Sequence, residues 1–162
     1  MYDRDKAVSY ANQWAFSRNP EFYAFDEIGG DCTNFVSQCI YAGCGVMNYT
    51  PDFGWYYISP DDRSAAWTGV QYLYNFLTNN EGAGPYGVLL PLPLAERGDV
   101  IQLSFDGISF AHTLIVTQIR LFPTPGNILI ASHSADSLNR PLNTYSYQEA
   151  RLIHILGARE AE

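Results

Sequence analysis

The hydrophobic pattern of this chain changes its period between the first and second halves of its 162 residues. Apolar side chains recur at helical spacing up to residue 78, and short β-rich runs separated by turn signals begin at residue 100. A segment rich in Asn, Gly and Pro, residues 79–98, is predicted to be a connector. The helices are predicted at 4–17, 33–42 and 64–78, and the strands at 100–105, 112–121, 128–132 and 152–156. Helices followed by strands indicate an α+β domain with an antiparallel sheet.

The charge balance excludes two classes of partner. The chain has 17 acidic and 9 basic residues, and its net charge is −8. Nucleic acids and anionic membranes bind clustered Lys and Arg, so neither is expected as a partner. No apolar run is long enough to span a membrane, and no signal peptide precedes the first predicted helix. We expect a single domain over residues 1–162, either cytosolic or cut out of a longer exported chain.

The segment Gly29-Gly30-Asp31-Cys32 places a cysteine at the start of a predicted helix. The unpaired N–H groups and the dipole of a first helical turn favour an anion, which makes the thiol of Cys32 a candidate nucleophile. Asp31 has two effects, because it can cap the helix but its carboxylate raises the pKa of a neighbouring thiol. A histidine is therefore needed to complete the activation. The alternative is that Cys32 is a small buried side chain.

The other cysteines do not indicate a metal site or a disulfide. The chain has three cysteines, without the spacing of metal ligands, and a structural zinc would need four ligands from scattered Cys and His. A bridge between Cys39 and Cys44 is not expected, because these residues flank a helix end. Cys39 lies two helical turns from Cys32, too far for an unstrained bridge, which argues against a redox-active pair.

Two histidines mark the ends of predicted strands. His112 opens the run 112–117 and His133 closes the run 128–133. The start of one strand and the end of its antiparallel neighbour lie side by side, so we expect the two rings to be adjacent. In that arrangement His133 orients the ring of His112 by a hydrogen bond. His154 lies in the middle of a strand and is expected to be structural, and Asp99 is expected to support a turn or a strand.

Aromatic residues in two loops are candidates for a substrate groove. Tyr23 precedes the glycine pair, and the turn-rich segment 46–62 contains Trp55 and Tyr56. Loops of this length are more often functional than structureless, and tyrosine combines an apolar ring with a polar tip. We therefore predict that these three aromatic side chains line a groove.

Five motifs carry a resemblance to a known family. They are Arg4-x-x-Ala7-x-x-Tyr10-Ala11-x-x-Trp14-Ala15, Gly30-Asp31-Cys32-Thr33-Asn34-Phe35-Val36-Ser37-Gln38-Cys39, Gly98-Asp99-Val100-Ile101, Ala111-His112-Thr113-Leu114-Ile115-Val116 and Ser132-His133-Ser134-Ala135-Asp136. Over nearly the whole chain they resemble the putative amidase domain found in exported proteins of Gram-positive bacteria. That family is similar to the papain-like cell-wall hydrolases of the CHAP and NlpC types.

The resemblance implies a papain-like arrangement in which a helix carrying the cysteine packs on an antiparallel sheet carrying the histidine. Cys32 is then the nucleophile and His112 its base. The third, orienting position is His133, with Asp136 as the other candidate. The N–H of Cys32 is expected to bind the oxyanion. Residues that supply a second donor or support the site are expected among Asp31, Asn34, Gln38 and a tyrosine of the loop before Gly29.

The predicted function is cleavage of an amide through a thioester, with a peptide or peptidoglycan-like substrate and no cofactor. The resemblance also implies a secreted or cell-wall location. Two alternatives stay open at this point. One is a catalytically idle module that binds the cell wall or a protein through its aromatic loops, and the other is an acyl transferase that uses the same Cys–His pair.

Overall fold

The computed structural model describes residues 1–161, which form four α-helices and eight β-strands. The helices are α1 (Arg4–Trp14), α2 (Cys32–Cys44), α3 (Ala65–Thr68) and α4 (Val70–Asn79). The strands are β1 (Tyr57–Ser59), β2 (Asp62–Arg63), β3 (Gly84–Leu90), β4 (Val100–Ser104), β5 (His112–Ile119), β6 (Ile128–Ser132), β7 (Ser137–Pro141) and β8 (Glu149–Arg159). The predicted α+β class with an antiparallel sheet is confirmed. None of the helices formed by these residues is long and apolar enough to cross a membrane.

Six strands form one antiparallel sheet in the order β3-β8-β4-β5-β6-β7. The last strand in sequence, β8, lies between β3 and β4, so the C-terminal part of the chain is central to the sheet. Gln102 of β4 therefore lies opposite both Arg151 of β8 and Thr113 of β5.

The two faces of the sheet have separate apolar cores. The helices cover one face, where Phe35 of α2 packs in a cluster with Ile115 of β5. The other face is filled by a second cluster that includes Leu114 and Leu142. Alternation along β5 therefore separates Ile115 from Leu114. The start of α2 is joined to the same strand by the hydroxyls of Thr33 and Thr113, 2.9 Å apart.

The structure corrects three sequence predictions. The helix predicted at 64–78 is divided between α3 and α4, because Gly69 has an extended backbone with φ −108° and ψ 129°. The predicted connector 79–98 contains β3, whose glycines and proline lack the composition of a typical strand. The strand β7 was not predicted, since its sequence Ser-Leu-Asn-Arg-Pro has no clear alternation.

The boundaries of α2 fit the sequence signals that predicted it. The helix begins at Cys32, two residues after the glycine pair, and it ends at Cys44, where the C-cap Gly45 has a left-handed φ of 69°. Asp31 occupies the N-cap position, but its side chain makes no capping hydrogen bond. This carboxylate has other partners, which are described below.

Candidate active site

Cys32 lies at the first position of α2, against the start of β5. It is 8% exposed, and its Sγ lies 3.8 Å from the hydroxyl of Thr33. Burial raises the pKa of the thiol, while the backbone of Thr113 and the hydroxyl of Thr33 act in the opposite direction. The sulfur therefore lies against the backbone of Thr113, the residue after His112 in β5.

The N–H of Cys32 is free to bind a ligand. The first hydrogen bond of α2 runs from Phe35 N to Asp31 O, so the preceding N–H groups have no partner within the helix. Since the Asp31 side chain does not cap the helix, it does not occupy these donors. Throughout residues 1–161, no hydrogen bond uses the N–H of Cys32. This is the position in which an oxyanion donor is required.

His112 is the first residue of β5 and is 9% exposed. Burial lowers the pKa of its imidazole to about 4, and the positive charge of Arg140 contributes in the same direction. The ring is therefore neutral at pH 7 and can accept a proton. The described part of the chain contains no hydrogen bond between this ring and Cys32. The two side chains lie at the same end of β5, with Thr113 next to both.

Ser132 supplies the polar partner of the His112 ring. Its Oγ lies 3.0 Å from His112 Nε2 and donates to the carbonyl of His133 at 2.7 Å. A serine hydroxyl has one proton, so the proton of the shorter contact goes to the carbonyl and Oγ accepts from Nε2–H. The hydrogen-bond network thus assigns the tautomer that leaves the lone pair on Nδ1.

His133 does not orient His112, and that sequence prediction is wrong. Its Nδ1 lies 2.5 Å from Asp31 Oδ2, its Nε2 lies 2.8 Å from Trp14 O, and its ring stacks on Phe35 with centroids 4.0 Å apart. Successive residues of a strand point to opposite faces of the sheet. At the end of β6, His133 therefore faces α2, and the preceding serine faces His112.

Asp31 is the centre of a buried polar cluster at the start of α2. Its Oδ1 accepts from Phe25 N and from Asn34 Nδ2, both at 2.8 Å. Its Oδ2 faces His133, and Arg18 Nε lies 3.6 Å away. The carboxylate therefore joins the preceding loop, the first turn of the helix and the end of β6. These contacts hold the start of α2, where Cys32 lies, in place.

Asn34 is not available as an oxyanion donor, and Gln38 contacts α1 through its side-chain oxygen. Asn34 uses its amide N–H groups inside the protein, one of them on Tyr23 O at 2.9 Å, and its Oδ1 accepts from Trp67 Nε1 at 2.9 Å. Gln38 is 4% exposed, and its Oε1 accepts from the hydroxyl of Tyr10 at 2.5 Å. The Asn34 side chain holds the loop before α2 against this helix, and the Gln38 side chain joins α2 to α1.

Asp136 binds Arg18 and makes no hydrogen bond to His112 in residues 1–161. The guanidinium lies 2.9 Å and 3.0 Å from the two carboxylate oxygens of Asp136, and it also binds Asp26 at 2.7 Å and 2.9 Å. This arginine lowers the pKa of Asp26. The proposed orienting role of Asp136 is therefore wrong, and the carboxylate instead holds the turn after β6 against the loop before α2.

The three predicted groove aromatics have different environments. Trp55 is fully buried, and its Nε1 donates to Ser37 Oγ at 3.1 Å, so it belongs to the core and does not line a groove. Tyr56 is partly exposed, and its hydroxyl lies 3.2 Å from Asp62 Oδ1. Tyr23 is 42% exposed, in the loop that precedes α2. Tyr23 therefore remains the predicted groove residue nearest to the helix start.

Three further features concern residues named in the sequence analysis. Cys32, Cys39 and Cys44 are all free thiols. Buried Asp99 accepts from the backbone N–H groups of Glu96 and Ile155, which gives it the predicted supporting role. Among residues 1–161, no group of His, Cys, Asp or Glu is arranged to hold a metal ion.

Comparison with known sequences places the chain in a family. The family model described as "Putative amidase domain" matches residues 1–156. The chain belongs to this family. Since an amidase hydrolyses amide bonds, membership supports an amidohydrolase in general terms.

The chain is also similar to a longer curated protein. The uncharacterized protein YhbB of Bacillus subtilis (strain 168) is 32% identical over 156 residues. The match covers 93% of this chain and 46% of that protein, so the chain spans about half the length of its relative. No solved structure matches the chain at a significant level.

Proposed function

We propose that the protein is a cysteine amidohydrolase, with Cys32 as nucleophile and His112 as base. One observation carries the proposal. The thiol at the start of α2 lies against Thr113, and the adjacent His112 has a neutral ring whose Nε2–H is held by Ser132. Cys32 and His112 lie at the same end of β5 with Thr113 next to both, which supports the proposed roles of nucleophile and base.

The first half of the reaction forms a thioester. His112 Nδ1 takes the thiol proton while Sγ attacks the amide carbonyl, which gives a tetrahedral oxyanion. The N–H of Cys32 donates to that oxyanion, and one such donor contributes about 3 kcal/mol of transition-state stabilisation. The protonated imidazole then gives its proton to the leaving nitrogen as the C–N bond breaks.

The second half regenerates the enzyme. A water molecule gives a proton to His112 and attacks the thioester carbonyl. Collapse of this intermediate releases a carboxylic acid and returns the proton to sulfur. Protons and electron pairs balance across the two halves, and the net reaction is hydrolysis of one amide.

The resting pair is a thiol and a neutral imidazole. Burial raises the pKa of Cys32 and lowers that of His112, and both directions disfavour the thiolate–imidazolium pair before substrate binds. Hydrogen bonds of a catalytic pair are often long without substrate and shorten in the complex. We therefore infer that the proton moves when the carbonyl occupies the site.

The family resemblance supports a narrower proposal about the substrate. We propose that the scissile amide lies in a peptide, that peptidoglycan peptides are the first class to test, and that the protein acts outside the cell at its wall. The partly exposed Tyr23 beside the helix start suits contact with such a peptide.

The proposal is tested by pairing amide hydrolysis with thiol labelling. Cys32→Ala is expected to abolish hydrolysis of peptidoglycan fragments, while Cys44→Ala, which removes the half-buried thiol at the other end of α2, is expected to leave it unchanged. His112→Ala is expected to lower the rate by about 10² to 10⁴. At pH 8, His112→Ala is expected to slow the labelling of Cys32 by iodoacetamide, because the base is lost, and to leave the labelling of Cys44 unchanged.

Two results would contradict the mechanism. One is hydrolysis that persists in Cys32→Ala. The other is labelling of Cys32 that proceeds at the same rate in His112→Ala. That result would mean that His112 does not act as the base for this thiol. Circular dichroism of each variant shows whether a loss of activity follows from a loss of the fold.

A further inference from the structure

Arg151 lies in the same cross-strand row as the residue beside the nucleophile. It pairs with Gln102 of β4, which in turn pairs with Thr113 of β5. Residues directly opposite one another in a sheet point to the same face, so all three side chains face the helices. Neighbouring strands lie about 4.8 Å apart, which places the Cα of Arg151 about 10 Å from that of Thr113.

The guanidinium of Arg151 is held entirely by neutral groups. Nε and Nη2 donate to Gln102 Oε1 at 2.9 Å and 2.6 Å, and Nη2 also donates to Gln71 Oε1 at 3.2 Å. The rings of Tyr74 and Phe110 contact it at 3.7 Å and 3.9 Å from their centroids. Among residues 1–161, no carboxylate forms a salt bridge with this arginine.

Gln102 fixes the position of the Arg151 guanidinium. Gln102 is fully buried, and its Nε2 donates to Val70 O at 2.8 Å and to Thr113 Oγ1 at 3.3 Å. These two bonds direct Oε1 at Arg151. The arginine is half-buried, and three of its five N–H groups are bonded in this way. The two N–H groups of Nη1 make no hydrogen bond within the described chain.

We propose that Arg151 binds a carboxylate of the substrate through Nη1. A half-buried cation without an acidic partner attracts an anion strongly, and burial already lowers the pKa of this arginine. Contact with the rings of Tyr74 and Phe110 holds the guanidinium in place, while Nη1 stays available for a ligand. The substrate would therefore carry a carboxylate close to the amide that is cleaved.

The Cα atoms of Arg151 and Thr113, about 10 Å apart, set the scale on which the carboxylate is expected to lie from the reacting carbonyl. An extended chain advances about 3.3–3.6 Å per residue, so a span of about 10 Å corresponds to two or three residues. The proposed substrate is thus a peptide with a free carboxylate two or three residues from the scissile amide. This inference rests on the proposed role of Cys32 for its catalytic meaning, but the binding of the anion does not depend on it.

The first experiment measures the reaction of Cys32 with two affinity labels. Iodoacetyl-Gly-Gly carries a carboxylate two residues from its reactive carbon, and its C-terminal amide is the neutral analogue. We expect the acid to label Cys32 at least tenfold faster than the amide. Arg151→Gln should abolish this preference. The matched variant Arg159→Gln should preserve it, because Arg159 also stacks on a ring, that of Tyr86 at 3.8 Å, but lies at the other end of β8.

A second measurement requires no reactive thiol. The Cys32→Ala protein is titrated calorimetrically with acetyl-Gly-Gly-Gly and with its C-terminal amide, with and without Arg151→Gln. Tighter binding of the acid that is lost in the double variant supports the inference, even if no amide is ever cleaved. Equal binding of acid and amide, or a preference that survives Arg151→Gln in a folded protein, overturns it, whatever the result for hydrolysis.

Discussion

Ser132 holds the imidazole of His112 in the tautomer that the proposed mechanism requires. Replacement by alanine removes the acceptor of Nε2–H, so the ring is free to rotate and to exchange tautomers. We expect Ser132→Ala to lower kcat/KM about tenfold to a hundredfold, a part of what a general base contributes. The measurement is the pH–rate profile, whose acidic limb should shift because the environment of His112 changes.

Two outcomes would separate this role from a structural one. Ser132→Thr keeps the hydroxyl and should recover most of the activity. Ser137→Ala removes an exposed hydroxyl that bonds to Ala135 O, and it should change nothing. A Ser132→Ala protein with native kcat/KM and an unchanged acidic limb would contradict the assignment.

The individual site residues were predictable to different degrees. Cys32 was identified because glycines before a helix mark its position, and His112 because it opens an apolar strand. The partner of His112 was missed, although Ser132 lay in a recognised motif. Which of two consecutive residues faces a ring depends on the register between β5 and β6, and a single sequence does not specify that register.

At the scale of elements, the start of α2 depends on the contacts of His133. Its ring is 1% exposed, bonds to Asp31 and stacks on Phe35. We expect His133→Ala to lower the free energy of unfolding by about 3 kcal/mol, since it leaves a cavity and a buried carboxylate with one partner fewer. The measurement is urea unfolding.

His154 provides the matched control for that prediction. It also bonds to a buried carboxylate, that of Asp99 at 2.9 Å, but its side chain is 15% exposed and Asp99 keeps its bond to Arg4. His154→Ala should therefore cost only about 1 kcal/mol. Equal losses for the two variants would show that His133 has no special part in anchoring α2.

The elements themselves were predicted best where their signals were local. The strand at 128–132 was placed correctly from its apolar run, whereas α2 continues through Gly43 to Cys44, two residues beyond its predicted end. The strand β3 was missed because its contacts with β8 decide its conformation, against a sequence of Gly-Pro-Tyr-Gly. Tertiary pairing can impose a strand where local propensity does not favour one.

At the scale of the whole molecule, the sheet brings together chemistry from distant parts of the chain. The thiol belongs to a helix on one face, and His112 shares the other face with Ser132. Both lie at the end where β5 begins. Arg151, from the last strand, shares the row of Thr113 because β8 is inserted next to β4. In an acidic chain of net charge −8, this cation is the proposed binding group for an anion.

The burial of His112 links the candidate site to the stability of the whole domain. Its pKa is about 4 in the folded protein and about 6.5 in the unfolded chain. Between these values the unfolded chain binds a proton that the folded protein does not, so stability falls as the pH falls. From pH 7.5 to pH 5 this amounts to about 2 kcal/mol, from 1.36 kcal/mol for each pH unit below 6.5.

We therefore expect the unfolding free energy of the native protein to fall by about 2 kcal/mol more than that of His112→Gln over this pH range. Urea unfolding at the two pH values provides the four free energies, and the difference between proteins removes the contribution of the other titrating groups. Glutamine keeps a donor for Ser132 but does not titrate. Parallel losses in the two proteins would mean that His112 is accessible to protons in the folded state, and the neutral resting pair would then be wrong.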